Sequence, residues 1–134
     1  ATGHERELLD AIALAEEAVP GTRAIDLDRE DDGAKYEIEV TDGTTLTKVE
    51  VEGGAARVEE SEPLEADERA EFEAAVITIQ EAIRKALDTW PGIVDDIELD
   101  EDGDLNAVVW EFTIHQDGRE IEVWVDAATG EPGE

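Results

Sequence analysis

Two spacings alternate along the chain. Leu8, Leu9, Ile12, Ala15 and Val19 recur at helical intervals, with Glu5, Glu7, Asp10, Glu16 and Glu17 largely on the opposite face, the stripe of a helix packed on a core. After Pro20-Gly21 the period falls to two. Ala34, Tyr36, Ile38 and Val40 alternate with Lys35, Glu37, Glu39 and Thr41, as in an antiparallel sheet covered on one face. The grammar then repeats. Ile79, Ala82, Ile83, Ala86 and Leu87 form a second helical stripe behind the capping box Thr78-Ile79-Gln80-Glu81, in which the Thr hydroxyl accepts from the third helical amide while Glu81 reaches back. Pro91 stops that helix as Pro20 stops the first. Val108, Trp110, Phe112 and Ile114 then alternate with Val109, Glu111, Thr113 and His115. Asp32-Gly33, Asp42-Gly43, Gly103 and Asp117-Gly118 supply tight-turn residues.

The two passages are copies. Pro20-Gly21 matches Pro91-Gly92, and Asp26-Leu27-Asp28 aligns with Glu98-Leu99-Asp100. Tyr36 to Val40 matches Trp110 to Ile114, and Val49-Glu50-Val51 matches Val123-Trp124-Val125. The offset drifts only from 71 to 75 residues. The pattern predicts an α+β fold of two duplicated units, each one helix packed on an antiparallel β-meander of three strands. Residues 1–60 form the first unit and 76–134 the second. Residues 61–75 make an acidic linker with a short helix at 67–75, and Leu64, Phe72 and Val76 pack locally.

The residues that carry this grammar resemble the PepSY domain, a family named for peptidase propeptides and a bacterial germination-associated protein. They are a helix, Pro-Gly, an acidic first strand, an Asp-Gly hairpin, a Tyr/Trp-Glu-aliphatic strand and the closing Val123-Trp124-Val125-Asp126-Ala127-Ala128-Thr129-Gly130. The first copy follows from Ala13 to Val51, but its Glu52-Gly53-Gly54-Ala55 lacks the Asp-Ala-x-Thr-Gly closure. The resemblance implies a tandem PepSY protein: a bacterial, secreted or cell-surface, non-catalytic module. It also implies binding to an extracellular protein and regulation of a peptidase, with no family catalytic residues to carry over.

Charge sharpens the exclusions. Thirty-nine Asp and Glu against ten Lys and Arg leave a formal charge of −29, a field that repels nucleic acid and anionic membranes. Such a charge is also the signature of disorder, but here the apolar stripes stay clear of it. With no Cys, disulfides and thiolate chemistry are excluded. The absence of Met suggests a segment trimmed from a longer precursor.

Candidate chemistry is sparse, and no pattern calls for a cofactor. Ser61, the only serine, sits in acidic sequence without an oxyanion turn and far along the chain from His115, so nucleophilic catalysis is not expected. Asp28, Glu30, Asp32, Gly33 and Glu39 mimic the spacing of a calcium loop. Lys35 stands where an apolar residue belongs, and a strand follows where a helix should. Asp95, Asp96, Asp100, Asp102 and Asp104 form a second cluster around Gly103. With Asp100, Asp102 and Asp104 of that cluster, Asp28 and Asp32 leave weak binding of Ca²⁺ or another divalent cation as the competing reading.

One residue breaks the alternation. Trp124 falls on the outer, acidic face of its strand, where the first copy has Glu50. In the expected register it shares that face with Val109, Thr113 and His115. An aromatic residue rimmed by acid is the composition of a binding hot spot, and these four are the expected partner-binding residues.

Overall fold

The computed structural model describes residues 3–134. In the first unit α1 (Gly3–Ala18) leads into β1 (Arg23–Glu30), β2 (Lys35–Thr41), β3 (Thr45–Glu52) and β4 (Ala55–Pro63). After α2 (Ala66–Ala74), the second unit runs α3 (Ile79–Thr89), β5 (Ile93–Asp102), β6 (Ala107–Gln116), β7 (Arg119–Asp126) and β8 (Pro132–Gly133). All eight strands join one antiparallel sheet in the order β4-β3-β2-β1-β5-β6-β7-β8.

Each unit is thus a four-stranded meander, one strand more than the spacing predicts. Ser61 to Pro63 read as linker but continue β4, whose Val58 pairs with Val49 and Ser61 with Thr47. Gly53 and Gly54 take positive φ of 59° and 78°, so a two-residue turn of mirror type folds β3 back into β4. The second unit ends differently. Asp126 Oδ1 accepts from the amides of Ala128 and Thr129, and this wider turn lays only Pro132 and Gly133 against β7.

Both helices cover the same face. Leu8, Ala11, Ile12 and Ala15 of α1 and Ile79, Ala82, Ile83, Ala86 and Leu87 of α3 are buried against Leu27, Ile38, Val49, Ile97, Phe112 and Val123 of the sheet. The capping box at Thr78 forms as the sequence predicts, with Glu81 N donating to Thr78 Oγ1 at 3.2 Å and Thr78 N to Glu81 Oε1 at 3.3 Å. Glu16 links the pieces: Oε2 accepts from Ala24 N at 2.8 Å and Oε1 from Gln80 Nε2 at 3.0 Å. Leu64 is buried and Phe72 packs on the core, but Val76 is 70% exposed. Its backbone, rather than its side chain, is held, by Ala127 O at 2.8 Å.

The units meet strand to strand. β1 and β5 pair over three positions, Asp26 with Glu98, Leu27 with Ile97 and Asp28 with Asp96. Leu27 opposes Ile38 on β2, and Ile97 opposes Phe112 on β6. The true equivalent of Asp26-Leu27-Asp28 is therefore Asp96-Ile97-Glu98, two residues earlier than sequence alignment places it. Leu27 faces its own equivalent, Ile97, and the flanking pairs Asp26–Glu98 and Asp28–Asp96 exchange about them, which gives the sheet a near-two-fold relation centred on Leu27 and Ile97. Both units also carry a β-bulge in the first strand, at Ile25 between Ala24 and Asp26 and at Asp95 between Val94 and Asp96. A bulge lets two neighbouring residues oppose one, and it breaks the alternation on which the sequence alignment relied.

Candidate functional site

The face away from the helices is built from two transverse rows of side chains, fixed by register. One runs Lys48, Glu39, Asp26, Glu98, Glu111, Trp124 across β3, β2, β1, β5, β6 and β7. The next runs Glu50, Glu37, Asp28, Asp96, Thr113, Glu122. Like charges directly opposite one another destabilise a sheet, yet carboxylates occupy four consecutive strands of the first row. Their protonation responds. Burial, reinforced by Glu39, Asp28 and Glu98, pushes Asp26 up to about 8. Burial, then Asp100 and Glu98, raises Glu111 to about 7. Burial also lifts Asp28, Glu39, Asp96 and Glu98 above the ordinary carboxylate range. At the rim, burial and a hydrogen bond with Asp100 raise Glu71 of α2 to about 7.

The two halves of this face differ in counter-charge. In the first unit Lys48 lies 3.6 Å from Glu60 and 4.0 Å from Glu37, and Lys35 lies 3.5 Å from Glu50, which Arg57 also contacts. Among the described residues, no Lys or Arg pairs with Asp96, Glu98, Glu111 or Glu122. These four, with Thr113 and Trp124, line a groove on the second unit.

Trp124, Thr113, His115 and Val109 share this face, as expected. Trp124 stands opposite Glu111 and is half-buried, packed on Gly133 of β8; a Cβ at Gly133 would run into the indole. Trp110, on the inner face, is 2% exposed, and its Nε1 donates to Ile77 O at 3.3 Å. Thr113 pairs with Asp96 and Glu122. His115 Nε2 contacts Asp95 Oδ2 and lies 3.7 Å from Glu120 Oε2. Val109 departs from the expectation: it is fully buried, so it shapes the face but offers a partner no surface. Gly133 was not singled out from the sequence, and Asp95 was weighed only as a member of the acidic cluster around Gly103, not with His115. The signal for Asp95 was the doublet Asp95-Asp96 inside an alternating strand, which marks a bulge.

The five carboxylates weighed for calcium do not converge. Asp28 lies at the seam, whereas Asp32 sits in a 3₁₀ turn at Asp31–Gly33. Asp102 Oδ1 is committed to its own turn, accepting from Asp104 N at 3.0 Å and Leu105 N at 3.1 Å. Of the five, Asp100 alone joins a group of three ligand atoms, with Glu98 and Glu111. Ser61 Oγ pairs with Thr47 Oγ1 at 3.0 Å on β4 and β3, across the sheet from His115 on β6.

Comparison with known proteins agrees with this architecture. The family model described as peptidase propeptide and YPEB domain matches residues 8–57 and 76–132. No curated protein matches the chain in sequence. The crystal structure of a candidate lipoprotein from Clostridium difficile 630 is similar over 95% of this chain and 90% of its own, with 25% identity and a TM-score of 0.52.

Proposed function

Because the chain belongs to the PepSY family, in two copies, we propose that it is an extracytoplasmic, non-catalytic module that binds and restrains a secreted peptidase through the outer face of its second unit. The family's description as a peptidase propeptide domain and the similarity to a candidate lipoprotein support the location and the partner class. The observation that carries the reading is the groove beside Trp124, where Asp96, Glu98, Glu111 and Glu122 have no Lys or Arg partner among the described residues. An indole next to unneutralised carboxylates suits an Arg or Lys side chain, which gains both cation–π contact and charge pairing. Thr113 adds a hydroxyl within the groove, and His115 lies two residues further along β6.

The experiment is a titration against a mature bacterial peptidase whose own propeptide carries this domain, read by binding and by hydrolysis of a peptide substrate. The wild-type chain binds and slows hydrolysis. Removing a central aromatic anchor costs about 2 kcal/mol or more, so Trp124→Ala weakens binding more than tenfold, and Glu111→Gln weakens it less. Equal binding by wild type and Trp124→Ala would move the contact elsewhere on the molecule.

A further inference from the structure

The corner where Asp95, His115 and Glu120 meet has a counterpart inside the same molecule. The bulge at Asp95 matches that at Ile25, and the facing pairs His115–Glu120 and Thr41–Leu46 hold the same places in their units. Ile25, Thr41 and Leu46 are all buried, in a corner closed by Phe72, which lies against Gly43 and beneath the Arg23 guanidinium at 4.6 Å. The frame brings the same three positions together twice. In the second unit the corner is open, and all three residues carry metal-ligating atoms.

We propose that Asp95, His115 and Glu120 bind a divalent transition-metal ion of the zinc class. One ligand atom from each lies within 4.8 Å of the other two. Their supports are rigid. Glu120 stands directly across from His115 in the β6–β7 ladder. Gly92 lies so close to the His115 carbonyl that a Cβ there would overlap it, which fixes the strand end. Arg29 Nη1 holds Asp95 Oδ1 at 3.4 Å, leaving Oδ2 turned to the imidazole; such outer partners orient ligands in metal sites. One imidazole nitrogen and two carboxylates form a mixed donor set that favours Zn²⁺, Co²⁺ or Ni²⁺ over Ca²⁺ and Mg²⁺. His115 and Glu120 are exposed, so water can complete the coordination. As the ion takes Nε2 in place of the hydrogen bond to Asp95, the neutral imidazole carries its single proton on Nδ1. This site lies along β6 beyond the Trp124 groove and does not rest on the peptidase reading.

The acidic field draws every cation toward the chain, so the test is selectivity. The probe is Zn²⁺, titrated into the whole chain against a chromophoric chelator in millimolar Ca²⁺ at constant ionic strength. One Zn²⁺ is held per chain, and the His115 imidazole resonances shift with it. His115→Gln and Asp95→Asn each weaken it by about tenfold or more, with far-UV circular dichroism unchanged. His4→Gln leaves it intact, because His4 Nε2 is already engaged by Val94 N at 2.9 Å. Trp124→Ala also leaves it intact, so the two readings fail separately. Zn²⁺ that Ca²⁺ displaces, or that survives His115→Gln, would show general attraction to acid and overturn the site.

Discussion

Leu27 of β1 and Ile97 of β5 face each other across the seam of the sheet, each fully buried and each holding the same place in its own unit. The duplication therefore closes on itself at a pair of equivalent residues. The three-pair seam also sets Asp26 against Glu98 and Asp28 against Asp96, arrangements that cost stability. What holds it is the apolar contact beneath both helices.

The first prediction follows directly. Leu27→Ala removes a buried side chain from the β1–β5 pairing that joins the units, and such truncations cost about 2–5 kcal/mol. Urea denaturation of the variant should show the loss in a single transition, because one core spans both units. Two separated transitions would mean that the units fold independently.

Stability should fall as pH rises. Burial and neighbouring carboxylates push Asp26, Glu111 and Glu71 up to about 8, 7 and 7, above the ordinary carboxylate values of 3.8, 4.5 and 4.5. Between pH 4 and 8 the folded chain thus holds more protons than the unfolded one, and the free energy of unfolding declines through that window. Asp26→Asn removes the largest of these shifts. Thermal melts should show it more stable than wild type at pH 8 and nearly equal at pH 4. The opposite ordering would place Asp26 among favourable ion pairs.

Gly133 should report on Trp124. A side chain at Gly133 would collide with the indole, so Gly133→Ala displaces Trp124 while the helices and the central strands stay in place. Tryptophan emission should shift to the red with little change in far-UV circular dichroism. An unchanged spectrum would show that β8 yields instead of the indole.

The stripes of α1 and α3, the capping box at Thr78 and the alternation of β2 and β6 were legible because each is a local pattern with one dominant period. β4 was not, because Glu59, Glu60, Glu62 and Pro63 carry the composition of a linker and its bulge interrupts the alternation. The joining of both units into one sheet was hidden too, since it depends on a short non-local pairing of carboxylates that local rules disfavour. Placing Trp124, Thr113 and His115 on one face needed only the period of two. The burial of Val109 and the bulge that turns Asp95 toward His115 depend on neighbours that no single-strand pattern contains.

A sheet built from two meanders still has open borders, and β4 forms one of them. Along it Glu59, Glu60 and Glu62 are exposed, and Pro63, at its end, has no amide hydrogen to give. A second copy approaching this border would meet its own negative charge and a broken hydrogen-bond ladder, two devices that prevent sheets from adding strands without limit. The acid that resembled a linker in the sequence serves in the fold as a guard against polymerisation.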